Sequence, residues 1–401
     1  MRRSDVRLRH RIGPEGPHRI LALDGGGVRG MITLEFLDAI EHLLRQRYNN
    51  PNYVLADYYD LIGGTSAGSL IATMLARGWP MARVRQTFET WAPKIFAHRI
   101  GLGVFRPRFS ERELNRCLKQ EVGDLTIDTA ELKTGLAIIC KRVDTGSPWV
   151  VTNNPKSRFW RAEKQGDEQG EADWIDNREY RIADLVRAST AAPTYFHPKT
   201  IPIYRRGRPG TFVDGGVSPY NSPALLLFMM SGVKGYRFDW TPGASRLLLT
   251  SIGTGSFRVM IEPNWLTKRV PLVFAAKSLL GVVGDAQSLN LKLMQWLSEP
   301  RNCWTINSEV DDLRDEGLFK LIGHSEPLLT FSRYDIKLEA KWLKDKMGMT
   351  DLNDRDLRRL QALDDVSQVP LYKSFGRRAA AHQVSDADFP QAFDRPAAGG
   401  G

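Results

Sequence analysis

The sequence has few cysteines and no long apolar run. Cys117, Cys140 and Cys303 are the three cysteines among 401 residues, and none has CxxC spacing. This argues against a disulfide framework and a cysteine-based zinc site, and it fits a reducing compartment. No run approaches the roughly 20 apolar residues of a membrane-spanning helix, and no signal-peptide core follows the N-terminus. We therefore expect a globular cytoplasmic protein.

Motifs for binding nucleic acid are missing too, although the chain is basic. It has 56 Lys and Arg residues against 46 Asp and Glu, which gives a formal net charge of +10. Such an excess favours anionic partners such as lipid headgroups and nucleotides. Without a zinc-finger or RNP-type motif, we expect no nucleic-acid polymer as a partner.

Short apolar runs alternate with helical patterns, which predicts an α/β fold with a mostly parallel sheet covered by helices on both faces. Strands are predicted at 18–23, 58–62, 136–142, 149–152, 211–213 and 247–252. Helices are predicted at 31–47, 67–76, 81–91 and 182–189, the third ending before Pro93. We divide the chain into a basic arm (1–17), a main domain (18–336), a C-terminal helical portion packed on it (337–390) and a flexible tail (391–401).

A nucleophile elbow is predicted where Gly64-Thr65-Ser66-Ala67-Gly68 matches G-x-S-x-G. The motif lies between a predicted strand and a predicted helix, the context in which a serine hydroxyl is exposed at a sharp turn. Small residues are needed around such a turn because the backbone is crowded. A tight turn that merely contains a serine is the alternative.

A glycine-rich loop, DGGGVRG, follows the first predicted strand. Gly25, Gly26 and Gly27 allow the backbone to approach a ligand closely. Together with Ser66 they favour an oxyanion hole, in which amides hold the negative oxygen formed during acyl transfer. Arg29 is expected at its rim, where it would hold the loop or meet an anionic headgroup. A nucleotide site competes, because the glycines can be aligned as G-x-G-x-x-G, but the Walker A Lys-Ser/Thr and a clear acidic partner are missing.

The base for Ser66 is harder to identify. None of the seven histidines lies in an obvious glycine-rich loop after a strand. Asp214 does follow a predicted strand and precedes Gly215 and Gly216, and a buried carboxylate can act as a base if burial raises its pKa. An ordinary Asp-Gly-Gly turn is the alternative. Spacing alone does not pair Asp214 with Ser66, because they are far apart in sequence.

Taken together, these segments resemble the patatin-like phospholipase family. The DGGGxRG loop, the GxSxG elbow and the Asp-Gly-Gly turn occur in the family's order, together with ASTAAPTYF at 188–196 and SIGTG at 251–255. The resemblance covers about residues 18–255. It implies a three-layer α/β/α fold and a dyad of Ser66 as nucleophile and Asp214 as base, with no metal or cofactor.

Further site residues follow from the same resemblance. The implied oxyanion loop comprises Gly25, Gly26, Gly27, Val28 and Arg29. Gly64 and Gly68 would shape the elbow, and Gly215 and Gly216 the turn that carries the base.

The implied function is that of a serine lipid acyl hydrolase, of phospholipase A or lysophospholipase type. Its substrate would be membrane phospholipid, reached by transient contact with the inner membrane surface, and Trp265, Lys268 and Arg269 are candidate contacts. Some similar bacterial proteins are anti-phage effectors switched on by cyclic nucleotides, so a cyclic-nucleotide activator is a candidate partner. An acyltransferase with the same dyad and a non-catalytic protein that binds anions or nucleotides remain alternatives.

Overall fold

A computed structural model describes residues 8–96, 107–161, 174–258, 271–302, 304, 318–350 and 352–395. Within them lies one sheet of nine strands. In chain order these are β1 His18–Leu23, β2 Leu61–Thr65, β3 Gly135–Arg142, β4 Ser147–Thr152, β5 Lys199–Ile201, β6 Gly210–Asp214, β7 Leu247–Ile252, β8 Glu299–Pro300 and β9 Thr330–Tyr334. Trp265, Lys268, Arg269 and Cys303 lie outside the described residues.

The sheet is mostly parallel, as predicted. Its order is β5-β6-β3-β2-β1-β7-β9-β8, with β4 paired to β3. The neighbours from β3 through β2, β1, β7 and β9 to β8 are parallel, whereas β4 and β6 pair with β3 in antiparallel orientation, and so does β5 with β6. The carboxyl ends of β1 and β2 therefore lie at one edge, which is the usual location of a site in such sheets.

Helices cover both faces of this sheet. They are α1 Gly30–Arg47, α2 Leu55–Tyr58, α3 Ala67–Ala76, α4 Met81–Phe96, α5 Glu111–Glu121, α6 Ile182–Ser189, α7 Ala224–Gly232, α8 Pro271–Leu297, α9 Leu318–Leu321, α10 Ala340–Met347, α11 Asp354–Gln361 and α12 Val369–Gln383. None of the helices in the described part of the chain combines the length and apolar character needed to cross a bilayer.

Two hydrophobic clusters, one on each side of the sheet, confirm the three-layer arrangement. Successive residues of a strand point to opposite faces. Accordingly Leu21 and Leu23 of β1 join a large cluster with α1, α3 and α4, whereas Ile20 and Ala22 join a smaller one with α7. All four side chains are fully buried, which explains why the last four positions of β1 are apolar.

Some predicted boundaries were wrong. Helix α4 continues past Pro93 to Phe96, because Trp91, Ala92 and Ile95 are buried in the core and their packing outweighs the hydrogen bond that proline removes. The second strand begins at Leu61 rather than at 58, since Leu55–Tyr58 form a short helix that precedes it.

The C-terminal helices lie against the main domain. Helix α12 packs closely on α1: a Cβ added to Gly376 would lie 2.8 Å from the Cβ of Glu35. Glu35 also forms an ion pair with Arg377, at 3.1 Å between Oε2 and Nε. The contact explains why a helix with a mixed, partly charged sequence is stable here: one face is buried and the other is solvated.

The chain ends also make contacts where the structure describes them. Phe393, within the predicted flexible tail, is fully buried, and its carbonyl accepts a hydrogen bond from Arg19 Nε at 2.7 Å. Ile12, within the predicted basic arm, is 4% exposed. Each segment therefore has one described residue that is buried against the core, Ile12 in the first and Phe393 in the second.

Candidate active site

Ser66 lies at the sharp turn between β2 and α3. Its φ of +54° and ψ of −128° place a non-glycine residue in a rarely occupied region, at a cost of roughly 1–3 kcal/mol. The turn is held by Ser189, whose Oγ accepts a hydrogen bond from the Ser66 amide at 2.9 Å and donates one to the Ile139 carbonyl at 2.6 Å. The turn at Ser66, where the sequence predicts a nucleophile elbow, is therefore strained and anchored to β3.

Gly64 and Gly68 are required by the close packing of this turn. A Cβ on Gly64 would lie 2.2 Å from the Gly68 carbonyl oxygen, and a Cβ on Gly68 would lie 2.3 Å from the Leu23 carbonyl oxygen. Both contacts are with backbone, which cannot move aside as a flexible side chain can. The two glycines thus allow α3 to start directly against β1.

The hydroxyl of Ser66 and the carboxylate of Asp214 are in contact, with Oγ 2.6 Å from Oδ2. The sheet register brings them together: Thr65 is opposite Ile139, and the next residue of β3, Cys140, is opposite Asp214. Strand β6 thus runs into the site from the opposite direction, and it ends beside the elbow.

The turn after Asp214 fixes its second carboxylate oxygen. Oδ1 accepts a hydrogen bond from the Gly216 amide at 2.7 Å. A Cβ on Gly215 would lie 2.6 Å from the Ile139 carbonyl oxygen, so this position also needs glycine. Oδ2 is thereby left to face Ser66.

Burial raises the pKa of Asp214 from 3.8 to about 6, although the hydrogen bonds from Ser66 and Gly216 oppose the shift. A carboxylate with this pKa is largely ionised at neutral pH and is still basic enough to accept a proton from an attacking hydroxyl. Chemically, the arrangement could therefore supply a nucleophile and a base without histidine.

The glycine loop lies against the nucleophile. A Cβ on Gly25 would be 3.1 Å from the Cβ of Ser66 and 2.4 Å from Oδ1 of Asn221. Gly27 has a φ of +57°, and a Cβ there would lie 2.3 Å from the Leu363 carbonyl oxygen. Glycine is thus required at both position 25 and position 27 of this loop.

Not all amides of the predicted oxyanion loop are available. The amides of Gly25, Val28 and Arg29 donate to the carbonyls of Asn221, Leu363 and Gly26, respectively. Within the part of the chain that the structure describes, the amides of Gly26 and Gly27 have no acceptor, and neither has that of Ala67 at the start of α3. Gly26 and Gly27 are therefore the members of the predicted set whose amides can bind an oxyanion.

Arg29 does not lie at an exposed rim. It is 7% exposed, and its Nη1 donates to the Gly255 carbonyl at 3.1 Å. Its guanidinium also lies 5.2 Å from the centre of the Phe257 ring. Of the two roles expected from the sequence, these contacts fit the one that holds the loop.

A buried ionic cluster beneath the loop was missed at the level of sequence. Arg333 of β9 lies between two carboxylates, with its Nη2 2.7 Å from Asp24 Oδ2 and 2.7 Å from Asp335 Oδ2. Its Nη1 donates to Ser251 Oγ at 2.8 Å. Burial alone would lower the pKa of Arg333, but the two carboxylates raise it above its ordinary value, so the guanidinium stays charged.

This cluster ties the first residue of the glycine loop to the strand ends on its other side. Asp335 accepts the Gly255 amide at 2.9 Å, and Thr254 donates to the Gly25 carbonyl at 2.9 Å. The sequence does contain a signal for this cluster: Arg333, near the end of β9, and Asp335, directly after the strand, are opposite charges two positions apart, so they point to the same face. Among the described residues, no group of three or more His, Cys, Asp or Glu side chains is arranged to hold a metal ion.

Comparison with known proteins gives matches over this same region. The model of the family described as "Patatin-like phospholipase" matches residues 21–228, more than half of the chain. The "cGAMP-activated phospholipase" of Escherichia coli (strain TW11681) is 26% identical over 258 residues, covering 63% of this chain and 66% of that protein. "Patatin-15" of Solanum tuberosum is 28% identical over 257 residues, covering 59% and 60%.

The match thus spans less than two thirds of the length of each of these relatives. Among solved structures, VipD from Legionella pneumophila covers 90% of this chain and 67% of that chain, at a TM-score of 0.34 and 11% identity. A likeness at this level supports no argument.

Proposed function

The chain belongs to the patatin-like phospholipase family, and from this premise we propose that it hydrolyses fatty-acyl esters of membrane phospholipids with Ser66 and Asp214. The observation that carries the proposal is the 2.6 Å contact between Ser66 Oγ and Asp214 Oδ2 beside the glycine loop. The charge of the chain, +10, fits a substrate that lies in an anionic membrane surface.

In the first half of the reaction, Asp214 Oδ2 takes the hydroxyl proton as Ser66 Oγ attacks the ester carbonyl. The carbonyl oxygen becomes negative, and the amides of Gly26 and Gly27, which have no acceptor among the described residues, would donate to it. Each such donor lowers the barrier by about 3 kcal/mol. The bond between the carbonyl carbon and the ester oxygen then breaks, and Asp214 returns the proton to the departing lysolipid.

In the second half, water attacks the acyl-serine. Asp214 takes a proton from this water, and the same amides hold the second oxyanion. The bond between the acyl carbon and Ser66 Oγ breaks, Oγ recovers the proton, and a free fatty acid leaves. Asp214 alone transfers the proton in both halves of the reaction. Its Oδ1 can therefore remain hydrogen-bonded to the Gly216 amide throughout.

Hydrolysis of phospholipid vesicles by the purified chain tests this proposal through the fatty acid released. Ser66→Ala and Asp214→Asn should each abolish release. Ser231→Ala is the control, because it also removes a serine hydroxyl, but one that is buried and donates to the Phe228 carbonyl in α7, on the smaller cluster's side of the sheet. Full hydrolysis by Ser66→Ala would refute the assignment of the nucleophile.

A cyclic-nucleotide requirement is a second candidate, and it is favoured by the similarity to the cGAMP-activated phospholipase of E. coli. Assaying the wild type with and without cyclic GMP–AMP tests it. We expect release of fatty acid to increase in the presence of the dinucleotide. Full activity without any nucleotide would remove this candidate and leave the dyad assignment intact.

The remaining alternatives are separated by products and by labelling. An acyltransferase would form a new ester when an alcohol acceptor is added, whereas the proposed hydrolase releases mainly free fatty acid. A non-catalytic binding protein would leave Ser66 unmodified by a fluorophosphonate. These two measurements use the same protein and lipid as the hydrolysis assay.

A further inference from the structure

Helix α11 and the loop that follows it line an open surface cavity of about 550 Å³. Arg355, Arg358 and Arg359 line it from the helix, and Asp365 and Ser367 line it from the loop. The volume lies within the range of sites for small organic ligands and exceeds the needs of a single inorganic ion. None of these side chains takes part in the dyad or the oxyanion loop.

The cavity carries an excess of positive charge. In the part of the chain described by the structure, Arg355 and Arg358 are exposed and have no carboxylate within ion-pair distance. Arg359 pairs with Asp365, at 2.9 Å between Nε and Oδ2, and donates to Ser367 Oγ at 2.7 Å. Guanidinium groups bind phosphate oxygens with paired, charge-assisted hydrogen bonds, so the cavity suits a phosphate-bearing anion.

The acidic residues of the cavity do not cancel this charge. Asp364 is buried, and its Oδ2 lies 3.6 Å from Nη1 of Arg108. Asp365 forms the ion pair with Arg359. Both carboxylates of the lining thus have a guanidinium nearby. Among the described residues, Arg355 and Arg358 are the lining guanidiniums that have no carboxylate within ion-pair distance.

The loop of the cavity is bonded to the glycine loop of the active site. Leu363 stands between Ala362 and Asp364, which both line the cavity, and its carbonyl accepts the Val28 amide at 2.9 Å. The same carbonyl oxygen is the atom that a Cβ on Gly27 would meet at 2.3 Å. A change in the position of Leu363 therefore acts directly on the backbone next to the amide of Gly27.

We propose that this cavity binds a phosphate-bearing anion through Arg355 and Arg358, and that its occupancy orders the loop that holds Val28 and Gly27. The consequence for hydrolysis rests on the function proposed above; the site and its coupling to the glycine loop do not. Two sources supply such an anion: a soluble phosphorylated ligand of nucleotide size, or the headgroup of an anionic lipid.

Binding and amide hydrogen exchange test the proposal without measuring hydrolysis. The probes are cyclic GMP–AMP for the soluble source and phosphatidylglycerol vesicles for the lipid source, with phosphatidylcholine vesicles as the neutral reference. The proteins are the full chain, Arg355→Gln/Arg358→Gln, and a control, Arg112→Gln/Arg116→Gln, which removes the same charge from the exposed face of α5. All four arginines are exposed, so neither double substitution removes core packing.

One of the two probes should bind the full chain and the control alike, and bind Arg355→Gln/Arg358→Gln at least tenfold more weakly. The same probe should slow exchange of the Val28 amide, whose acceptor is Leu363. Which probe does so identifies the source of the anion. Equal binding by all three proteins, binding of neither probe, or unchanged exchange at Val28 would overturn the proposal.

Discussion

Replacing Asp214 by Asn should abolish hydrolysis and at the same time stabilise the protein at alkaline pH. Burial raises the pKa of Asp214 from 3.8 to about 6, so ionised Asp214 is disfavoured in the folded state. In the unfolded chain this carboxyl has its ordinary pKa of 3.8. Between these values the folded state binds more protons than the unfolded state, so the stability associated with Asp214 is lost as pH rises through this window.

The size of the effect follows from the same two values. A pKa raised from 3.8 to about 6 corresponds to about 3 kcal/mol of unfolding free energy lost above pH 6. Asn does not ionise, and its amide oxygen can still accept the Gly216 amide. Asp214→Asn should therefore be more stable than the wild type by about 3 kcal/mol at pH 8, and by about 1 kcal/mol at pH 4.5.

Urea unfolding at the two pH values measures this difference. The control is Asp345→Asn, since Asp345 is exposed on α10 and its replacement should change stability by less than about 0.5 kcal/mol at either pH. Comparing each variant with the wild type at the same pH cancels the titration of all other groups. No gain at pH 8, or the same gain at both pH values, would refute the reasoning about burial of Asp214.

Three further predictions concern the site. Wild-type hydrolysis should rise with pH and be half-maximal near pH 6, since only ionised Asp214 accepts the proton; a rate–pH profile that stays flat down to pH 4 would contradict this. Gly26→Ala should lower hydrolysis at least tenfold, because its Cβ would lie 2.2 Å from Thr254 Oγ1, whereas Gly232→Ala meets no atom within 4 Å and should retain the rate. Arg333→Met should destabilise the chain by about 3–5 kcal/mol in urea unfolding, because two buried carboxylates lose their partner; a change below 1 kcal/mol would rule out this role.

The elements that carry the dyad could be predicted because their signals are local. An apolar run bounded by glycine predicts β1, and the G-x-S-x-G pattern between a strand and a helix predicts the elbow at Ser66. The turn after β6 is also visible in sequence, as Asp214 followed by two glycines. Each signal spans only a few residues, so pattern reasoning can find it.

Contacts between distant segments could not be predicted in the same way. That Ser66 meets Asp214 depends on β6 pairing with the far end of β3 in antiparallel orientation, which no local pattern specifies. In the described part of the chain, the Gly25 and Val28 amides donate to the carbonyls of Asn221 and Leu363, which lie far along the chain. Which amides of the glycine loop are already bonded could therefore not be predicted from the sequence.

The composition also does not show which charged side chains are buried. Arg29 and Arg333 look like surface residues in a basic chain, yet both are buried and bonded to groups beneath the glycine loop. Arginine tolerates such positions only with acceptors nearby, and Asp24 and Asp335 supply them for Arg333. The number of Lys and Arg residues therefore overstates how many cationic side chains are available to an anionic partner.

Covalent labelling followed by peptide mass spectrometry tests the claim that Asp214 activates Ser66 most directly. After reaction with a fluorophosphonate at neutral pH, we expect one adduct on Ser66 in the wild type, and a far slower reaction at the same residue in Asp214→Asn. An adduct on a different serine, or equal labelling rates in the two proteins, would contradict it.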